Sequence, residues 1–367
     1  MRKKAYFKSV TIFLSILLVF SQLQLFSLPA YGETVSDQPL LFRSVGVAQS
    51  GTTYYVDGEG GNNANDGQSP ASAWRDFEKV NQTEFQPGDH LLLNAQSTWN
   101  NQLLHPKGNG TAAQKIVIDF YDTNDKGETI FETTRRPIIN GGGTYSTGTF
   151  KRAISGAVQL VNQEYWDISN LEVTNTPELD NLEGYKKPGD AQRAGILVLG
   201  YEQNRTFNSV TIRNNYVHDV QTEYYLNLSG NTATKRLKAV GGIIVLGSWF
   251  DENGNVVTAA NDHRTTTGFN DILIENNVIQ RVGLEGIRTK ADSDTSRGNT
   301  FYKTFSNITI RNNYLEDIAG DGIVLSEAKS GGVVEGNVAV RMCNADYGTQ
   351  NYAGVWAMSV DDGLFQY

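Results

Sequence analysis

One alternation of apolar and polar positions is written into this chain several times. VTIRNNYVHDV (Val210 to Val220), ILIENNVIQRV (Ile272 to Val282) and ITIRNNYLEDI (Ile308 to Ile318) place an apolar residue at every second position up to an Asn pair, then resume. GVVEGNVAVRM (Gly332 to Met342) is a weaker copy. The period of two predicts short strands on either side of a turn. Superposed on the second Asn, the copies align Asn215, Asn277, Asn313 and Asn337; in YWDISNLEVTN (Tyr165 to Asn175), Asn170 falls one place early. A second phrase alternates with the first: Gly195-Ile196, Gly242-Ile243, Gly286-Ile287, Gly322-Ile323 and Gly354-Val355. Each opens a run in which alternate residues are small or apolar.

The order is therefore Gly-Ile strand, variable loop, short strand, Asn turn, short strand, and one cycle from Gly322 to Gly354 takes 32 residues. Such a period with β-type alternation predicts a solenoid, whose repeats bury their apolar faces only by stacking on one another. Ile212, Ile274, Ile310 and Val334 would form an inward column, and the four aligned Asn amides would bond from coil to coil. A β-sandwich gives no reason to repeat a polar Asn at one register. The long excursions, Gln221 to Val240, Ser248 to Phe269 and Ala291 to Phe305, recur at the same corners, where they build up one side.

These phrases resemble the right-handed parallel β-helix family, the pectate-lyase-like superfamily of secreted polysaccharide-acting proteins, from about Tyr54 to Tyr367. The opening YYVDGEGGNNANDGQSPASAWRDFEKVN (Tyr54 to Asn81) is similar as well. The resemblance implies a first strand, a glycine-rich loop and a short capping helix, and Trp74, Phe77 and Val80 would give that helix one apolar face. It implies an all-β fold and a polysaccharide partner. It does not choose a reaction, because lyases, hydrolases, epimerases and plain binders share this architecture.

The N-terminus reads as a leader. A basic start with Arg2, Lys3, Lys4 and Lys8 precedes the apolar Val10 to Phe20, and small Ala30 and Gly32 mark a cleavage site, giving a signal peptide over 1–32. Residues 33–53 read as a linker and 54–367 as the solenoid domain. The whole chain has 31 basic and 40 acidic residues; without the leader 27 basic residues remain against the same 40. That balance argues against nucleic acid or an anionic membrane as partner. Cys343 is the single cysteine, so no intramolecular disulfide staples the exported fold.

Candidate chemistry comes from the Gly-Ile strands. With the isoleucines inward, alternation turns three rows outward: Ala194, Gly241, Glu285, Asp321, Ala353; then Leu197, Ile244, Arg288, Val324, Trp356; then Leu199, Leu246, Lys290, Ser326, Met358. Early coils thus present an apolar surface and later ones a charged surface. Glu285 and Asp321 would stand about 4.8 Å apart along the stack, a disposition suited to a glycosidase acid pair. Arg288 or Lys290 would instead neutralise a uronate, with Lys290 as the base of a β-elimination. Trp356 could stack on a sugar ring and Glu327 could contact substrate. The same charges would otherwise form a solvated surface ladder. No cofactor is required on this reading. Asp292 and Asp294 would supply calcium ligands if the site is lyase-like, and DENGN (Asp251 to Asn255) reads as a hairpin turn before a calcium loop. The four histidines are dispersed, with His218 expected at the surface.

GLFQY at the C-terminus aligns with GVVEG (Gly332 to Gly336), so the sequence stops partway through a coil and reads as a fragment of a longer solenoid. A monomer is expected where the solenoid is capped. Two functions fit: cleavage of glycosidic bonds in a polysaccharide, by elimination or hydrolysis, and non-catalytic carbohydrate binding or surface adhesion.

Overall fold

The computed structural model describes residues 41–48, 50–143, 154–176, 192–202, 204–221, 240–247, 267–291, 303–344 and 352–366. The leader 1–32, the DENGN turn, Asp292 and Asp294 lie outside them.

The described chain winds through three parallel sheets. The first is ten-stranded and runs from Thr53–Val56 to Leu364–Gln366, one short strand, Thr129–Ile130, joining it antiparallel. The second has seven strands, from Thr98–Asn100 to Val338–Met342, and the third six, from Ile154–Val161 to Val355–Met358. One coil takes the chain along Gly268–Glu275 of the first sheet, Val278–Val282 of the second and Glu285–Ala291 of the third. This is the parallel β-helix that the phrases predict. Its core is the expected inward column, with Ile212, Ile274, Ile310 and Val334 in register on successive coils and buried. Beside it stack Phe207, Phe269 and Phe305, with ring centroids 5.5 and 5.9 Å apart.

The Asn pair divides its work. The first member takes the left-handed conformation, with φ of 56° at Asn214, 56° at Asn276 and 54° at Asn312, where Asn is among the least strained of non-glycine residues. The second member points inward. Asn215 donates from its backbone N and Nδ2 to Asn277 Oδ1 (3.0 and 3.1 Å), Asn277 does the same to Asn313, and Asn313 to Asn337. Each Nδ2 also donates to a carbonyl, as Asn277 does to Ile212 O at 2.9 Å. Asn170 sits one place early because it is the left-handed member, with φ of 59°. Leu171 takes the inward place and donates its backbone N–H to Asn215 Oδ1.

A second left-handed column follows at the end of the second sheet: Asp219, Arg281, Asp317 and Arg341, with φ between 49° and 55°. Long side chains are costly there, and here they alternate in sign. Arg281 pairs with Asp219 at 2.8 Å and Arg341 with Asp317 at 2.6 Å.

In Gly195, Gly242, Gly286 and Gly322 the glycine of the phrase stands where the second and third sheets converge, whereas Gly354 on the last coil has open space around it. A Cβ on Gly242 would lie 2.7 Å from Ile279 Cγ2 and 2.8 Å from Gly286 O, and one on Gly286 would lie 2.5 Å from Leu315 Cδ2. Only a residue without a side chain fits the corner.

Two expectations are corrected at the N-terminal end. The capping helix is shorter than the spacing of apolar residues suggests, spanning Phe77–Gln82, because Asp76 caps it by accepting the Glu78 N–H. Trp74 precedes the helix and stacks on Tyr54 at 5.0 Å, although it is buried as expected. The stretch read as linker is attached from Leu41 onward: Phe42–Arg43 pairs antiparallel with Glu132–Thr133, and Val45 N donates to Asp119 Oδ2 at 3.0 Å.

Candidate active site

The third sheet carries the candidate residues. Its register joins Ala194 to Gly241 and Gly241 to Glu285, and in the next row runs Leu197, Ile244, Arg288, Val324, Trp356. The Gly286 N–H donates to Asp321 O at 2.8 Å, which sets Asp321 beside Glu285 on the next coil. The expected Lys290–Ser326 adjacency differs. Strand pairing on these coils stops at Arg288 and Val324, and Ser326 N donates to Thr289 Oγ1 at 3.0 Å.

Before its last strand, Val355–Met358, the outward face of this sheet is not a solvated surface. In the early coils Ala194, Leu197, Leu199, Ile244 and Leu246 form a second apolar cluster, separate from the core, with Tyr201 packed against it. In the later coils the charged residues are buried too: Glu285 is 3% exposed, Asp321 6%, Arg288 7% and Lys290 3%. Charges withdrawn this far from water must be paired, and they are. The Arg288 guanidinium forms an ion pair with Glu285 through Nη1 and Oε1. Lys290 Nζ lies 2.5 Å from Glu327 Oε1, and Glu327 Oε2 accepts the Ala291 N–H at 3.1 Å. Asp321 Oδ1 accepts the Ala353 N–H at 2.6 Å.

The candidates therefore fall into two groups. Glu285, Arg288 and Asp321 lie together, whereas Lys290 and Glu327 make a separate buried pair between adjacent coils. Glu327, expected to contact substrate, stands at the corner after Ile323–Ser326 with φ of 53°, and both its carboxylate oxygens are engaged by Lys290 and Ala291 of the preceding coil. Trp356 is 37% exposed and lies beside Val324, itself the neighbour of Arg288.

Two members of this neighbourhood escape a reading based on alternation. Cys343, noticed in the sequence only for its lack of a partner cysteine, lies near both acids. Burial pushes its thiol up, and the negative charges of Asp321 and Glu285 push it further. Gly241 faces Glu285 from the preceding coil, and a Cβ there would meet Glu285 O at 2.4 Å. The small residue in the outward row was visible in the sequence; its role beside an acid was not.

His218, expected at the surface, is half-buried. Nε2 lies 3.1 Å from Glu172 Oε1 and Nδ1 2.6 Å from Asp219 Oδ2. Its ring stacks on Tyr216, whose hydroxyl donates to Gln280. This network belongs to the second sheet, away from the acid pair. Among the described residues, no group of three or more His, Cys, Asp or Glu side chains is gathered as a cation site. Among those residues, too, no helix is long and apolar enough to cross a membrane.

No protein-family model matches the chain. It is 28% identical to a lacto-N-biosidase of Bifidobacterium longum subsp. longum over 88% of its own length and 22% of that protein. Among solved structures it is similar to the GH136 lacto-N-biosidase of Eubacterium ramulus. The native protein matches at 22% identity and the selenomethionine derivative at 23%, each with a TM-score of 0.60 over 86% of this chain. The match covers 50% of the derivative and 51% of the native chain. The chain thus spans about half the length of that solved relative and about a fifth of the curated one. The structural likeness carries the parallel β-helix fold.

Proposed function

We propose that this chain is the β-helix of an exported glycoside hydrolase, and that it cleaves glycosidic bonds in a carbohydrate outside the cell with Glu285 and Asp321. One observation carries the reading: two acidic side chains stand on adjacent coils of the third sheet, buried, with a guanidinium on one of them. Adjacent strands lie about 4.8 Å apart, close to the roughly 5 Å carboxylate separation of glycosidases that retain anomeric configuration. Arg288 holds Glu285 as the carboxylate, the form needed for attack at the anomeric carbon. Asp321 then delivers a proton to the departing oxygen and afterwards takes one from the attacking water. Similarity to a lacto-N-biosidase supports hydrolysis. So does the Lys290–Glu327 pair, because an ammonium engaged with a carboxylate has no lone pair with which to start an elimination. The basic and apolar residues of 1–32 support export.

The test is sugar release from p-nitrophenyl lacto-N-bioside and from neutral oligosaccharides, followed by NMR of the first product. Release with retained configuration is expected, and Asp321→Asn should lower the rate by about 10² to 10⁴-fold. Unsaturated uronide absorbance from a uronan would replace hydrolysis by elimination. An undiminished rate in Asp321→Asn would remove the pair from the reaction.

A further inference from the structure

The capped end of the solenoid holds a cavity that the acid pair does not use. It measures about 260 Å³ and is lined by Asp76, Phe77, Glu78, Asn81, Gln102 and Leu103. These residues come from the short helix Phe77–Gln82, its cap and the chain that follows Thr98–Asn100. Along the second sheet, four strand steps separate Thr98–Asn100 from Val278–Val282, the strand that leads into Glu285. At about 4.8 Å a step, the cavity stands roughly 19 Å along the stack from that coil.

Its polar groups are unevenly engaged. Asn81 is fully occupied, Nδ2 donating to Leu103 O at 2.8 Å and Oδ1 accepting the His105 N–H at 2.7 Å. Asp76 accepts both its bonds on Oδ1, from Glu78 N at 3.0 Å and Asn63 Nδ2 at 2.7 Å, which leaves Oδ2. Glu78 Oε1 receives a long bond from Gln82 at 3.4 Å, which leaves Oε2. The Phe77 N–H donates to Gln102 Oε1 at 3.2 Å and so orients that amide, leaving both donors of Nε2 unused. Among the described residues, neither carboxylate belongs to an ion pair.

The ligand follows from these walls. Two carboxylates without a cation attract an ammonium, the Gln102 amide calls for an acceptor oxygen, and half-buried Leu103 offers an apolar surface. An anion finds no donor at the helix start, because the Phe77 and Glu78 N–H groups are already answered. The volume falls below the about 300–1,000 Å³ of sites for larger ligands, which limits the occupant to a single ring.

We infer that this cavity is a non-catalytic site for one amino sugar with a free amine. The ammonium donates to Asp76 Oδ2 and Glu78 Oε2, a hydroxyl oxygen accepts from Gln102 Nε2, and the ring lies on Leu103. The site stands apart from the hydrolytic reading and does not depend on it.

The experiment titrates glucosamine calorimetrically into the full chain at mildly acidic pH, where the amine is protonated. Glucose, N-acetylglucosamine and cyclohexylamine follow: the first two lack the charge and the third lacks the hydroxyls. Glucosamine should saturate and bind about tenfold more tightly than glucose or N-acetylglucosamine, and more tightly than cyclohexylamine. In Asp76→Asn/Glu78→Gln, glucosamine should bind no better than glucose. Asparagine still caps the helix, so the thermal midpoint of that variant should hold. Should it unfold, Glu78→Gln alone decides, at an exposed position, with an expected loss of about threefold. The inference is overturned by no saturable binding of glucosamine, by equal binding of glucose or cyclohexylamine, or by a preference that survives loss of the carboxylates. Displacement of glucosamine by an equal concentration of calcium would also overturn it, leaving a plain cation site.

Discussion

The Asn turn and the outward face of the third sheet are built on the same coils and follow opposite rules. At the turn, each coil repeats its neighbour. Asn215, Asn277, Asn313 and Asn337 occupy one place, and each amide of the column serves the next coil. On the outward face, coils differ. Leu197 and Ile244 stack as apolar residues, then Arg288 follows in the same row, then Val324 and Trp356. Stacking is stable wherever like meets like, so repetition reports architecture. A place that breaks repetition gives up that stacking, and in the third sheet the break coincides with buried, paired charge. The departure from the repeat is where the proposed chemistry is placed.

The contrast can be tested by breaking each region in turn. The largest effect is expected at the buried pair: Lys290→Met leaves Glu327 buried with one backbone N–H for company and should cost about 3–5 kcal/mol. Lys290→Met/Glu327→Gln should recover most of that loss in urea unfolding. A single-variant cost below about 1 kcal/mol would mean that the pair is not buried as described. Next comes Asn277→Leu, which strands the Asn215 N–H and the Ile212 carbonyl and should cost about 3 kcal/mol. Leucine is tolerated at Leu171 because the column begins there. If Asn277→Leu proved harmless, the amide column would be an accident of packing. The smallest effect belongs to His218. Burial opposes its protonated form, but the hydrogen bonds that it donates to Glu172 and Asp219 outweigh this and raise its pKa above 6.5. Its contribution to stability is thus fully present below pH 6.5 and lost as pH rises through the raised value. The melting temperature should fall by about 1–2 °C across that window and stay level in His218→Gln. A midpoint that rises with pH there would refute the sign.

How much of this was legible depended on whether a feature repeats. The inward Ile column, the Asn places and the first two outward rows of the third sheet follow from alternation alone, because a strand has only two faces; the third row breaks at Lys290, where pairing stops. Asn170 is early because Ser169 pairs with Arg213, which makes Asn170 the left-handed residue of its turn, a register that the sequence alone does not display. Burial of Glu285, Arg288 and Lys290 could not be read, since alternation says which way a side chain points and not what lies over it. Cys343 and Gly241 join the acids through the proximity of coils, which local sequence does not record. The helix start at Phe77 was decided by Asp76, a cap that outranked the apolar spacing from Trp74.

The alternating left-handed column bears on how such a protein can lengthen or shorten over generations. Asp219, Arg281, Asp317 and Arg341 carry opposite signs on successive coils. Deleting the coil that holds Arg281 would bring Asp219 against Asp317, and duplicating it would set arginine against arginine. The Asn column accepts a change of any size, but the charge column accepts only an even number of coils. In this part of the molecule the heritable unit is two turns of the solenoid, a parity that no single repeat displays.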